Sequence, residues 1–523
     1  MKHFALLFSI QATQLFAQVP DLSVELLRRD VTSGAPLISK ESLNPAKVAV
    51  VVVDPWNFHW CKTSAARVGA LIPRMNRCLA AARSLGIQIF WCPTDVADNY
   101  VGTPAVEEAN AVAPVPVPHL TNLPDCPPAK DGGGCTCGKE RCLVNYGWDA
   151  MHPGLTIRPG DLMPNDTVTL YSLAARKGID HLIYMGVHTQ VCLLGKSVGV
   201  RSMLATGMKC MLARDLTDAH GLYDPEHGVT PDDFTADVVA HFEKHLIPTI
   251  DMVATLRGAG KWDDTAIVDP VRLAPWGTVG RPHLFEDAVT VTLTTPLEPG
   301  AEIRYTTDGS EPTQQSTLYA APLKLEETTR LRTAAFQGAR QVCLASEGYF
   351  ARLGPEPPKP DVYLSDLKPV RAVGSGHSPS RDDHRFSPRV NPPQADRSNE
   401  KAPIKLRGRT YEKGMGVHAP NQLLYELRPE LDRFVARAGV DERILETNNG
   451  SNLAIHPSVV FRVFIDGKLA AESPVMRILS EPWRFDVSIP SGSRRISLCA
   501  TDGGNGNRED LANWVDAGFV VKK

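Results

Sequence analysis

The run Lys47-Val48-Ala49-Val50-Val51-Val52-Val53-Asp54 narrows the choice of fold more than any other stretch of this chain. Consecutive apolar, mostly β-branched residues with no polar alternation describe a strand covered on both faces, the pattern of a central strand in a parallel sheet. Such strands aim their carboxyl ends at the ligand crevice of an open α/β sheet, and this one ends in a carboxylate. The pattern continues downstream. Residues 65–85 have helical periodicity, 88–92 read as a strand, 167–177 as a helix, and 181–185 and 209–213 as strands. This alternation predicts a wound parallel sheet.

A second strand end lies in Tyr184-Met185-Gly186-Val187-His188-Thr189-Gln190-Val191-Cys192. The Cys192 thiol is expected at the carboxyl end of a buried strand and the amino end of a helix. There the helix dipole favours a thiolate, and free backbone N–H groups can hold a developing oxyanion. Asp54 is the natural base for it. Each residue also has a plainer reading, as a buried structural cysteine and as a loop or helix-cap acid.

Asp54, the Gly186-to-Cys192 run and the late helix Val238-Val239-Ala240-His241-Phe242 resemble the isochorismatase-like cysteine hydrolases, a superfamily that includes nicotinamidases, over residues 44–257. The resemblance implies an α/β three-layer sandwich with a parallel sheet and hydrolysis of amide, carbamoyl or vinyl ether bonds. It implies an Asp, Lys, Cys catalytic set and requires no metal or organic cofactor. On this chain Asp54 would be the general base, Cys192 the nucleophile, and the Val191 and Cys192 N–H groups the oxyanion hole. The family lysine is where the sequence departs. The segment Leu155-Thr156-Ile157-Arg158-Pro159-Gly160-Asp161 offers Arg158, which can stabilise a thiolate by charge but does not deprotonate. Arg158 fits an ordinary ion-pairing role equally well, and in that case the site is altered or inactive.

The loop Pro55-Trp56-Asn57-Phe58-His59-Trp60-Cys61 could line a pocket for a flat, small-molecule substrate, with Trp56, His59 and His188 as contacts; aromatic packing is the alternative. Thr94-Asp95-Val96-Ala97-Asp98 offers acids only, so the Asp/His/His metal set of some nicotinamidases is not expected there, and the expected cofactor is none. Cys126, Cys135, Cys137 and Cys142 lie in an irregular insert. They read as disulfide staples in preference to a zinc site, because the Cys-x-Cys spacing suits a zinc knuckle poorly. Residues 1–17 resemble a signal peptide, with a basic start, a short apolar stretch interrupted by Gln11, Thr13 and Gln14, and a cleavage point at Ala17-Gln18. A secreted or periplasmic location follows. A net charge of -3 suggests neither nucleic acid nor an anionic membrane surface as partner, and no stretch has the length of a membrane span.

A chain of 523 residues needs more than one core, and the pattern changes after a seam at 258–281. Period-two runs at 289–293 and 302–307 precede Tyr305-Thr306-Thr307-Asp308-Gly309-Ser310-Glu311-Pro312-Thr313. This motif, with Ser316 and Tyr319, resembles the small β-sandwich at the carboxyl end of chitobiases and β-hexosaminidases, over 282–353. A stiff linker, Gly354 to Pro360, leads to residues 361–523. There Tyr411 to Ala419, Phe434 to Asp441, 459–467 and Asn513-Trp514-Val515-Asp516 resemble the carbohydrate-binding module NPCBM, a galactose-binding-like β-sandwich. His418, Asp441 and Trp514 are its candidate sugar contacts, each with a structural alternative. Two functions compete: an exported cysteine hydrolase tethered to polysaccharide or cell-surface glycan, and a catalytically degenerate glycan-binding protein.

Overall fold

The computed structural model describes residues 20–523 apart from 58, 60, 94–95, 125–147, 149, 222–229, 266–268, 296–299, 375–391, 444–456, 479, 505–506, 508 and 523. The signal-like segment and the four cysteines from Cys126 to Cys142 lie outside the described residues.

The first unit is built on a seven-stranded sheet of order β2-β1-β7-β6-β5-β3-β4. Strands β3 (Val48–Val53), β4 (Gln88–Cys92), β5 (His181–Val187), β6 (Lys209–Asp218) and β7 (Thr249–Ile250) are mutually parallel. The antiparallel hairpin of β1 (Leu22–Arg29) and β2 (Pro36–Leu43) extends the sheet beyond β7. The unit therefore starts ahead of residue 44, and the sheet is mixed at one edge instead of wholly parallel.

Alternation along β3 explains its uninterrupted apolar character. Val48, Val50 and Val52 enter one core with α1 (Lys62–Ser84) and α7 (Met252–Gly258). Ala49, Val51 and Val53 enter the other with α3 (Thr167–Lys177), α5 (Val200–Ala205) and α6 (Pro231–His245). Successive side chains of a strand point to opposite faces, so helices on both sides demand apolar residues at every position. Two short helices, α2 (Pro104–Asn110) and α4 (Cys192–Gly195), complete the unit.

The remaining chain is strand-rich. In the middle module, Val291, Leu331 and Phe350 fill the space between sheets of three and five strands. Its Asp308 carboxylate accepts the Ser310 N–H and O–H at 3.0 and 2.6 Å, with Gly309 at φ 81° in the turn. The last module has two larger sheets packed around Phe434, Phe461, Phe485 and Trp514. Among the described residues no helix is long and apolar enough to cross a membrane.

Candidate functional site at the carboxyl ends of the parallel strands

Strand register assembles the site. Val53 of β3 pairs with Gly186 of β5, and Val187 of β5 with Asp218 of β6. Asp54, His188 and His220 therefore leave the sheet at the same end of three neighbouring strands, and Cys192 follows in the loop after His188. Asp54 and Cys192, far apart in sequence, come to the carboxyl ends of adjacent strands, as expected. Both are buried, at 1% and 5% exposure. Gly186 permits the close approach of β5 to β3: its φ is 120°, and a Cβ there would lie 2.0 Å from the Val53 carbonyl oxygen.

The helix expected after Cys192 is a single turn. It stops at Gly195 and resumes only at Val200, because the chain folds tightly at Gly199, where a Cβ would sit 2.8–3.0 Å from the carbonyls of Leu193, Lys196 and Leu194. A helix this short contributes little macrodipole, so the dipole argument for a thiolate loses most of its force. Of the expected oxyanion donors, the Val191 N–H closes a turn onto the His188 carbonyl at 3.1 Å.

The predicted substrate contacts do meet, and they bring company. Trp56 stacks on His59 at 4.7 Å between ring centroids, Trp148 stacks on Trp56 at 5.4 Å, and His188 meets the Trp56 edge at 4.8 Å. His220 lies 4.7 Å from His188 and 5.5 Å from His59. One ligand atom from each of these three histidines lies within 4.8 Å of the other two. Burial, reinforced by His220 and His59, holds the His188 ring well below the usual histidine range and keeps it neutral. The Gln190 amide fixes the backbone of His220, donating to its carbonyl at 2.6 Å and accepting its N–H at 3.2 Å.

Arg158 is not brought to this site. The segment that carries it runs beside β4: the Gln88 side chain, at the start of that strand, donates to the Gly160 carbonyl at 2.8 Å, and the Leu162 N–H donates to Ile89. Arg158 thus lies toward the amino end of β4, away from Asp54, in a cavity of about 440 Å³ shared with Tyr100, His152 and Trp276. Its neighbour Asp161 is held by Arg83 at 2.6 and 2.9 Å and by the Trp91 indole at 2.8 Å. A different arginine lies close to the histidines. Arg67 is paired with Asp218 and with Asp232, and its charge adds to the depression of His188.

Sequence reasoning missed His220, Arg67 and Trp148. His220 carried a usable signal, since it stands just past the end of a third parallel strand. Trp148 and Arg67 carried none, because a chain excursion and a helix face deliver them.

In the last module the sugar-contact assignments separate. Trp514 is fully buried and meets Phe461 at 5.0 Å and Phe485 at 5.3 Å. It fills the sandwich and presents no face to a sugar. Asp441 is also buried, accepting the Asn513 amide at 2.6 Å and the Arg443 N–H at 2.8 Å, and it closes a turn. His418 alone of the three is partly exposed, with Nδ1 2.8 Å from the Ala419 carbonyl.

A family model for the NPCBM/NEW2 domain matches residues 360–520, and one for the chitobiase/beta-hexosaminidase C-terminal domain matches residues 282–343. The chain therefore carries a carbohydrate-binding type of module at its carboxyl end. It is 28% identical over 166 residues, 32% of its length, to a Renibacterium salmoninarum protein named "Putative endo-alpha-N-acetylgalactosaminidase", of which it spans 10%. CBM51 from Clostridium perfringens GH95, solved in complex with methyl-galactose, is 25% identical, with coverage of 30% of this chain and 99% of that one and a TM-score of 0.25. A cysteine hydrolase from Pseudomonas syringae pv. phaseolicola is 14% identical, with coverage of 42% and 96% and a TM-score of 0.27.

Proposed function

We propose that the α/β unit is a cysteine hydrolase of the isochorismatase-like type and that the β modules tether it, after export, to glycan. The observation that carries the reading is the strand register, which supports Asp54 and Cys192 acting from neighbouring strand ends. Asp54 takes the Sγ proton, and the thiolate adds to the carbonyl carbon of an amide or carbamoyl substrate. The C–N bond then breaks as Asp54 returns its proton to the leaving amine. Water, deprotonated by Asp54, hydrolyses the thioester and regenerates the thiol. The backbone N–H groups of Val191 and Cys192 are the candidate oxyanion donors, and that of Val191 closes a turn onto the His188 carbonyl.

The test is covalent trapping. The full chain is incubated with a panel of amides and activated esters, and the tryptic peptide containing Cys192 is weighed. Wild type forms an adduct there, Asp54→Asn forms far less, and Cys92, fully buried with its thiol pushed well up by burial and then by the charge of Asp54, stays unmodified. Equal labelling in wild type and Asp54→Asn would exclude the acid–thiol pair. The second reading, a catalytically degenerate glycan binder, draws on the remoteness of Arg158 from Cys192, and glycan-array binding without any adduct would select it.

A further inference from the structure

The loop ends of β3, β5 and β6 gather three imidazoles that the proposed hydrolysis does not use. His59, His188 and His220 come from three separate chain segments, yet one ligand atom of each lies within 4.8 Å of the others. Zinc-class ions are bound by imidazole at about 2.0–2.1 Å, so tetrahedral ligation needs nitrogens about 3.3 Å apart, within reach of small side-chain rotations. An independent observation points to a missing polar ligand in the same place. His188 is fully buried, and neither of its ring nitrogens makes a hydrogen bond of acceptable geometry; the Asp218 backbone favours the protonated ring, but less than burial and the two neighbouring imidazoles oppose it. The indole N–H groups of Trp56 and Trp148, which pack on this cluster, are likewise buried and unsatisfied. Buried polar atoms are nearly always paired, and each one left without a partner is costly. Four such atoms on rings that pack together make a dry, purely structural packing an expensive arrangement.

We infer that His59, His188 and His220 form a binding site for a divalent transition-metal ion of the zinc class. Three imidazoles with no carboxylate or thiolate among them suit zinc, cobalt, nickel or copper and disfavour magnesium and calcium. Three protein ligands leave a fourth position for water or for a polar group of a substrate. The loop geometry supports each ligand. Gln190 holds the His220 backbone, and Trp56 and Trp148 both pack on the His59 ring. His59 Nδ1 accepts the Cys61 N–H at 3.0 Å, and metal binding gives up that hydrogen bond in exchange for the metal. The site uses neither Asp54 nor Cys192 as a ligand, and its existence does not depend on the hydrolase reading.

The experiment is a Co²⁺ titration of the metal-stripped full-length protein, read by visible absorption, with Zn²⁺ competition by calorimetry. The expected result is one tightly bound ion with the d–d absorption of tetrahedral cobalt and no sulfur-to-cobalt charge-transfer band. The missing charge-transfer band separates this site from the Cys126 to Cys142 group. His220→Ala and His59→Gln should each weaken binding by more than the roughly 10–100-fold that outer-sphere changes cost, with circular dichroism unchanged. Cys192→Ser should bind normally. His188→Ala risks misfolding because the ring is buried, so the partly exposed His220 carries the test, with His59→Gln, which keeps a polar side chain at that buried position, as its second arm. Absence of Co²⁺ and Zn²⁺ binding at millimolar concentration, or binding untouched by both substitutions, overturns the proposal.

Discussion

At the scale of single residues, the contact between β3 and β5 depends on one missing side chain. Gly186 adopts φ 120°, which L side chains rarely tolerate, and a Cβ would meet the Val53 backbone at 2.0–2.9 Å. Gly186→Ala is therefore expected to destabilise the α/β unit by about 3 kcal/mol or more, since backbone atoms of a central strand cannot move aside. A urea titration followed by tryptophan fluorescence checks this, and a midpoint within error of wild type would refute it. Arg158 makes the opposite case. It carries charge in the segment where a catalytic lysine was sought, but the chain there runs along β4 toward its amino end, and spacing in sequence does not reveal which end of a sheet a loop serves. Arg158→Met should leave Cys192 labelling within about twofold of wild type. Loss of labelling in a folded Arg158→Met protein would restore the arginine to the site.

At the scale of elements, local signals and tertiary context can be told apart. Helix α3 is announced by its ends: Asp166 accepts the Thr169 N–H at 2.7 Å as N-cap, and Gly178 closes the helix at φ 68°. Asp166→Ala should cost about 1 kcal/mol, read as a shift in thermal midpoint, because the orphaned N–H can still reach water. A loss above 3 kcal/mol would mean that the carboxylate does more than cap. Four of the five parallel strands, all but β7 (Thr249–Ile250), which is too short, were legible for a similar reason, since burial on both faces writes an apolar run. The β1–β2 hairpin was not. β2 is exposed along almost its whole length and carries Lys40 and Glu41, the polar dressing of a sheet edge, so nothing in its composition demands a core. The helix expected after Cys192 is a single turn, because the backbone turn at Gly199 separates α4 from α5 although apolar residues continue through Leu193 and Leu194. The meeting of the histidines was visible one strand end at a time, and only the pairing of β5 with β6 brings His220 to His188.

At the scale of the whole molecule, the three units share a joint built from buried polar groups. Arg477 of the last module, 4% exposed, donates to the Gly280 carbonyl of the seam at 2.8 Å and to the Asp98 carbonyl of the α/β unit. Thr278 donates to the Asn99 carbonyl, and a Cβ on Gly280 would stand 2.9 Å from the carbonyls of Asp98 and Asn99. Burial lowers the Arg477 guanidinium to about 10, still charged at neutral pH, and pushes the nearby Asp510 carboxyl well above its usual range. An acid whose folded pKa is raised binds more protons folded than unfolded. Stability from Asp510 is therefore greatest below the unfolded value near pH 4 and falls as pH rises through the folded one. Asp510→Asn keeps an acceptor for the Ser458 N–H and should flatten that slope in chemical denaturation across this range. A slope unchanged by the substitution would place its origin elsewhere. Removing Arg477 attacks the joint itself. Arg477→Met deprives two carbonyls of their donor at about 1–3 kcal/mol each without changing the strand ends that carry the candidate chemistry. If this joint couples the units, calorimetry of wild type should give an unfolding endotherm in which the α/β unit and the last module melt together. Arg477→Met should then resolve it into separate transitions, with Cys192 labelling retained below the first. Identical endotherms for the two proteins would mean that the modules hang on their linkers alone, and that glycan binding at one end exerts no mechanical hold on the site at the other.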